Sequence, residues 1–218
     1  MLVSFAGYLK LRFTLRSSDN ETLRHFKNFF GWFGVFQLFM AWPMFVPVVL
    51  SSVKLGAFYI FSHVFLYVSV AYLSLVPISI YRPEWKEKVF WLNIVAGGVI
   101  SFVNIVYWTL PEIESNLLLY NVGAPVGPMI GVLVGLNMAV LAGGFFAKMA
   151  WDRSGEDRMK FVLLALGMFT MTVGGPLHDN ASTFLMYVVA DVLISVSILL
   201  VLSGLYVSWV YSRLGVKE

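Results

Sequence analysis

Charge and cysteine are what this sequence has least of. Only 12% of its 218 residues are charged, against roughly a quarter in an ordinary soluble domain. With 59% of residues hydrophobic and a mean hydropathy of +0.81, a water-soluble globule of this length could not hide its apolar surface in one core. The same numbers exclude a disordered chain, a coiled coil and a secreted disulfide scaffold. Cysteine is absent altogether, which removes disulfides, thiolate metal sites, iron–sulfur ligation and a cysteine nucleophile. Also missing are a Walker loop, a GxGxxG turn after a strand, a GxSxG elbow and the motifs of intramembrane serine and aspartyl proteases. The sequence pI is near 9.1, but the formal net charge is only +3, and no nucleic-acid partner is expected.

What the chain does have is long apolar runs, and the partner they call for is a lipid bilayer. A membrane-crossing helix needs about 20 mostly apolar residues. Six runs qualify, at about 28–50, 56–80, 89–110, 124–147, 161–175 and 184–211. The expected fold is therefore all-α, a polytopic bundle of about six transmembrane helices. It occupies 28–212, between an N-terminal segment 1–27 and a tail 213–218. Basic residues orient it. Lys10, Arg12, Arg16, Arg24 and Lys27 precede the first run, and Arg82, Lys86 and Lys88 separate the second from the third. Lys148, Arg153, Arg158 and Lys160 separate the fourth from the fifth, while Arg213 and Lys217 follow the sixth. If six spans alternate, every basic residue except Lys54 lies on one side, which makes both termini cytoplasmic. MLVSFAGYLKLRF is too short to span and lacks a cleavage site. It reads as an interfacial helix on the cytoplasmic leaflet, with a stub of a seventh helix as the alternative. Ser18 or Asp19 can then cap the first span.

Three features could carry function. Gly123, Gly127, Gly131, Gly135, Ala139 and Gly143 recur every fourth residue in the fourth run, which puts them one above another on a helix. Such a stripe suits close helix packing, inside the bundle or against a partner subunit; it can also make room for a flat cofactor. The second feature is a polar layer. His63 and Asp191 are the ionisable residues well inside the apolar runs, each about eight residues, or roughly 12 Å, from the outer end of its span. Asn104, Thr170 and Thr172 lie at similar depth. Intramembrane ionisable groups are expensive and usually paired, so His63 is the expected partner of Asp191. The third feature is VGGPLHDNAST, where Gly174, Gly175 and Pro176 are expected to end the fifth span and leave His178 and Asp179 in an outer loop.

These residues suggest chemistry at the outer face. His63, His178, Asp191 and Asn104 are candidate cofactor-binding residues, with His63 and His178 the outer-side histidines available to a haem. His178, Asp179 and Glu112 could contribute nitrogen and oxygen ligands to a metal ion such as zinc, copper or iron. The segment LMYVVADVLISVSILL, with Asp191, resembles the last helix of a microbial rhodopsin over that one helix. Ser195 stands one turn on, where such a helix carries its retinal lysine, so no retinal is expected. The leading functional expectation is an integral membrane subunit of a larger complex, working in electron or proton transfer with a haem or metal near the outer leaflet. A small-ion or solute transporter using the His63/Asp191 layer is an alternative. A structural or sensory module that binds partner helices, or a second copy of itself, through the glycine stripe is another.

Overall fold

The computed structural model describes residues 1–16, 19–45, 52–108, 112–114, 117–119, 124–179, 181 and 183–214; of these, the side chains of 42–45, 52, 53, 112–114, 117–119, 179 and 208–214 are outside the description. The helices are α1 (Leu2–Thr14), α2 (Glu21–Phe45), α3 (Ser52–Tyr81), α4 (Lys86–Val106), α5 (Val126–Gly135), α6 (Gly144–Trp151), α7 (Gly155–Asp179) and α8 (Phe184–Leu214). A 3-10 turn, Pro83–Trp85, links α3 to α4, and a π-helical segment, Leu136–Gly143, fuses α5 and α6 into one rod. The all-helical expectation has one exception among the described residues, a small antiparallel hairpin of β1 (Glu112–Glu114) and β2 (Leu117–Leu119), with Ile113 opposite Leu118.

Among the described residues five helices are long and apolar enough to cross a membrane: Lys54–Tyr81, Pro83–Val106, Val126–Trp151, Gly155–His178 and Phe184–Val207. The chain is thus a helical bundle with the character of an integral, multi-pass membrane protein. The remaining expected span corresponds to α2 and runs on into residues outside the description. Asn20, not Ser18 or Asp19, caps that helix: its Oδ1 accepts the Leu23 amide at 3.0 Å, while Asp19 pairs with Arg24 and Ser18 lies outside the described residues.

Among the described residues the helices form seven rods. α2 packs on α3, α3 on both α4 and the π segment, α6 on α7, and α7 on α8, with α1 joining α8 to α2. α1 runs along the bundle and not across its end. Ser4, Gly7 and Leu11 form its buried stripe, and the Ser4 hydroxyl donates to Gln37 Oε1 at 2.5 Å. Thr14 meets the Tyr206 hydroxyl at 3.2 Å. Two small residues and a leucine at i, i+3 and i+7 make a seam that a neighbouring helix fills, which a flat apolar face for a leaflet would not. α7 differs from expectation too: it continues through Pro176 to Asp179, so Pro176 does not end the span. A proline removes one backbone hydrogen bond, and neighbouring helices can re-satisfy such a gap in a membrane helix.

Phenylalanines fill the core towards the basic end. Phe146 lies between Phe26 at 6.1 Å and Phe161 at 6.3 Å, both nearly parallel to it, tying α2, α6 and α7 together. Elsewhere backbones meet almost directly. A Cβ added at Gly97 on α4 would sit 2.6 Å from Tyr67 Cβ and Cγ on α3, and one at Gly167 on α7 would sit 2.6 Å from a Val201 methyl and 2.9 Å from the Ser197 carbonyl on α8.

A buried amide chain adds direction to this packing. Asn137 Nδ2 in the π segment donates to Asn93 Oδ1 on α4 at 2.7 Å, and Asn93 Nδ2 donates to Ser74 Oγ on α3 at 3.3 Å. The spare donor capacity goes to the carbonyls of Leu133 and Val89. Two outcomes follow. Gly97→Ala should lower detergent stability by about 1–3 kcal/mol through overpacking, whereas Gly98→Ala, with open space at its Cβ, should leave the melting temperature unchanged. Asn137→Leu should cost roughly 0.6–1.7 kcal/mol in the same thermal unfolding measurement, because it strands the Asn93 carbonyl oxygen.

Candidate functional site

α2, α3, the fused rod, α7 and α8, together with Met1 just before α1, line a cavity of about 290 Å³. It lies towards the end of the bundle at which α2 and α7 finish and α5 and α8 begin. Phe33, Phe36 and Met40 of α2 form one wall, and Ile130, Val134 and Met138 of the fused rod form the facing one, with Leu66, Met171 and Ile194 between them. The space exists partly because side chains are missing. Gly127, Gly131 and Gly175 line it, and a Cβ at Gly131 or Gly175 would meet nothing within 4 Å. Helical spacing explains the shared wall, since Gly127, Ile130, Gly131, Val134 and Met138 recur at three and four residues along one face.

The polar lining gathers four side chains, Gln37, His178, Asp191 and Ser195. Because α7 continues past Pro176, His178 sits on a helix against α8 and not in a loop. Its Nε2 is 3.8 Å from Asp191 Oδ1, and its ring stands edge-on to Tyr187 at 5.2 Å. Tyr187 and Asp191 are one turn apart on α8, so the two flank the imidazole from one helix face. His178 keeps 18% of its side-chain surface accessible and Asp191 keeps 68%. The separation of 3.8 Å exceeds hydrogen-bond length, so the pair is electrostatic. Gln37 accepts from Ser4 through its carbonyl oxygen, which leaves its amide nitrogen as a donor at the lining.

Asp191 is therefore partnered by His178 and not, as depth alone suggested, by His63. His63 is 1% exposed; its Nδ1 is 3.0 Å from the Tyr59 carbonyl, and its ring packs on Tyr59 at 4.2 Å and on Phe36 at 5.4 Å. Phe36 separates it from the cavity, so His63 and His178 do not face one another across it. Asn104 is also buried, and its Nδ2 has no hydrogen-bond partner, but it belongs to α4, which does not line the cavity. Thr172 is satisfied by the Met168 carbonyl at 2.9 Å. The side chains of Glu112 and Asp179 lie outside the description. Among the described residues no three His, Asp or Glu side chains gather to hold a metal ion.

The glycine stripe divides between different surroundings. Gly127 and Gly131 line the cavity, Gly135 faces open space, and Gly143 packs against Phe169 and the Met138 carbonyl. Ala139 lies in the π segment, and Gly123 is outside the described residues. Closer helix contacts than that at Gly143 fall elsewhere, at Gly97 and Gly167. Asn93 and Asn137 were not singled out from sequence; the signal was available, since each is an amide inside an apolar run.

Comparison of the chain with protein-family models, with curated proteins and with solved structures finds no match.

A second polar cluster closes the opposite end, where α2 and α4 start and α3 finishes. Glu21 accepts from Lys86 Nζ at 2.6 Å and lies 3.6 Å from His25 Nε2, which also meets Ser79 Oγ at 3.0 Å. The Lys86 hydrogen bond holds the Glu21 carboxyl below its ordinary range, and burial pushes the His25 imidazole below its own. Both groups take up protons more readily in the unfolded chain, so each contributes stability above its unfolded pKa that is lost as pH falls through its folded one. The melting temperature should accordingly decline on acidification, first below about 6.5 as His25 is forced to charge and again below about 4.3 as Glu21 titrates. His25→Gln should remove the upper part of that decline in a pH series of thermal melts, and Lys86→Met, which takes away the hydrogen bond that lowers Glu21, should flatten the lower part.

Proposed function

We propose that this chain is a multi-pass membrane protein that takes a small, largely apolar molecule into the cavity between its helices. The cavity carries the reading: about 290 Å³, walled by aromatic, aliphatic and thioether side chains, with a few polar groups at one end, which is the general form of a ligand site. At roughly 30 Å³ per water-sized group, it suits an occupant of about ten heavy atoms. In this reading α2 is a sixth span, and the end bearing Arg24, Lys86, Lys148 and Arg158 faces the cytoplasm. Residues 16–27 and the C-terminal tail then lie on that face, α1 rises from it alongside α2 and α8, and the cavity opens towards the outer leaflet. Uptake of a solute fits the transport alternative of the sequence reading, with Asp191 and His178 in place of Asp191 and His63. The haem version of the redox reading finds less support, since the cavity offers one imidazole, His178, already set against Asp191.

A second reading has its own observation. Gly135 is open, and Val132, Leu136 and Val140 beside it are 53–62% exposed. That ridge is where another membrane helix or a second copy of the chain would pack.

The two readings part on neighbouring glycines. Alkanols of six to twelve carbons, titrated against the purified protein in nanodiscs, should show saturable binding with an optimum near eight to ten carbons. Gly131→Leu, which puts four carbons into the cavity, should weaken it at least tenfold with little change in melting temperature. Gly135→Leu should leave binding intact and shift the oligomeric state if that ridge is an interface. Binding that rises steadily with chain length and ignores Gly131→Leu is partition into lipid, and would sink the cavity reading.

A further inference from the structure

We infer that the seam between α3 and α4 is a second binding site, in which ordered water accepts hydrogen bonds from Ser101, Asn104 and Trp108. The inference is independent of the cavity, whose lining includes no residue of α4.

Two close contacts bound this seam. A Cβ at Gly97 on α4 would strike Tyr67 on α3, and a Cβ at Gly56 on α3 would sit 2.9 Å from the indole of Trp108, just past the end of α4. Eleven residues separate the two contacts on either rod, or roughly 16 Å of rise, so the antiparallel helices keep step between them. Residues 97, 101, 104 and 108 recur at three and four residues, which places them on one face. Ser101 and Asn104 therefore stand between the contacts, on the side of α4 that meets α3.

Three polar atoms of that face are buried and, among the described residues, have no hydrogen-bond partner: Ser101 Oγ, Asn104 Nδ2 and Trp108 Nε1. Elsewhere in the bundle the same groups satisfy themselves on their own helix. The hydroxyls of Ser62, Ser69, Ser74 and Ser197 donate to the carbonyl three residues back. The amides of Asn93 and Asn137 donate to the carbonyl four residues back. Ser101 and Asn104 forgo that bond, although Asn104 is 2% exposed and both lie within α4. A buried donor without an acceptor bears its full desolvation penalty, and hydrocarbon offers it nothing in exchange.

An amide or indole N–H can only donate, so what completes this face is an acceptor. Neighbours three and four apart on a helix have Cβ atoms about 5–6 Å from one another. One water can thus bridge Ser101 and Asn104, and a second Asn104 and Trp108, in the way buried water commonly serves unmet polar groups. Close contact at both ends favours an acceptor of that size; a lipid ester carbonyl reaching in from the side has the same chemistry. The consequence is a rod fastened at two heights. Asn93 ties α4 directly to Ser74 and Asn137, and three turns on the same rod is tied to α3 through water.

The test is indole NMR on the full chain in nanodiscs, 15N-labelled at tryptophan, with Trp108→Phe assigning the signal. The Trp108 N–H should resonate downfield, as a hydrogen-bonded indole does. It should also show a dipolar cross-peak to water, opposite in rotating-frame sign to exchange, in diester and diether phospholipid alike. Asn104→Leu should weaken that cross-peak and lower the melting temperature. If the N–H lacks water contact and moves upfield when diether lipid replaces diester, the acceptor is the lipid carbonyl and the assignment to water is overturned. An upfield N–H without water contact in both lipids overturns the site itself, and so does a rise in melting temperature on Asn104→Leu, which is what relief of an orphaned amide would give. The wild-type spectra decide even if Asn104→Leu does not fold. If Trp108→Phe does not fold, single substitution of the other six tryptophans assigns the signal by elimination.

Discussion

Hydrocarbon does not drive helices together. Lipid tails are as apolar as leucine, so a bundle in a bilayer is held by close van der Waals contact and by polar groups that must find partners inside the protein. The rest of this structure depends on that constraint. It explains why α3 and α4 meet at Gly97 and why α7 and α8 meet at Gly167, with a missing Cβ letting each pair of backbones approach. It also explains why Asn137, Asn93 and Ser74 form a chain across three elements. Each amide, left alone in an apolar run, would cost more than the link returns, so together they set which rods are neighbours and at what height.

The two ends of the bundle use polar groups differently. At the basic end Phe26, Phe146 and Phe161 stack on one another, and Glu21 gathers Lys86 and His25 around the start of α2. At the other end the packing opens. α5 contributes Gly127 and Gly131, α7 contributes Gly175, and the helices are held apart by the larger residues around them. Asp191 stands there 3.8 Å from His178, with Gln37 and Ser195 on the same lining. Tight packing at one end and an apolar cavity with a few polar side chains at the other are what make the cavity a candidate site.

Much of this was legible in the sequence and some was not, for identifiable reasons. The apolar runs and the basic clusters marked helices and their ends, because length and composition are local properties of the chain. Asp191 was recognisable as a polar group inside an apolar run, and His178 reads as a histidine of an outer loop. Their meeting was not recognisable, because Pro176 and two glycines read as a helix end, whereas α7 continues through them. The pairing of Asp191 with His63 came from equal depth. Depth follows from counting residues at 1.5 Å each, but the direction a side chain takes around the helix axis has meaning only against known neighbours. The glycine stripe carried the same ambiguity: its period establishes a smooth face, and Gly131, Gly135 and Gly143 nonetheless face a cavity, open space and a neighbouring ring.

By itself, then, the sequence determined that this is a helical chain built for a membrane, where its apolar segments fall, and which polar residues they carry at what height. These follow from composition and from a fixed rise per residue. Only the tertiary structure decided that α1 lies along α2 and α8, that α7 runs on past Pro176, and that His178 rather than His63 stands beside Asp191. Those outcomes depend on the order and rotation of rods around a shared interior. They are set by contacts between residues far apart in the chain, such as Ser4 with Gln37 and Asn93 with Asn137, which no local pattern records.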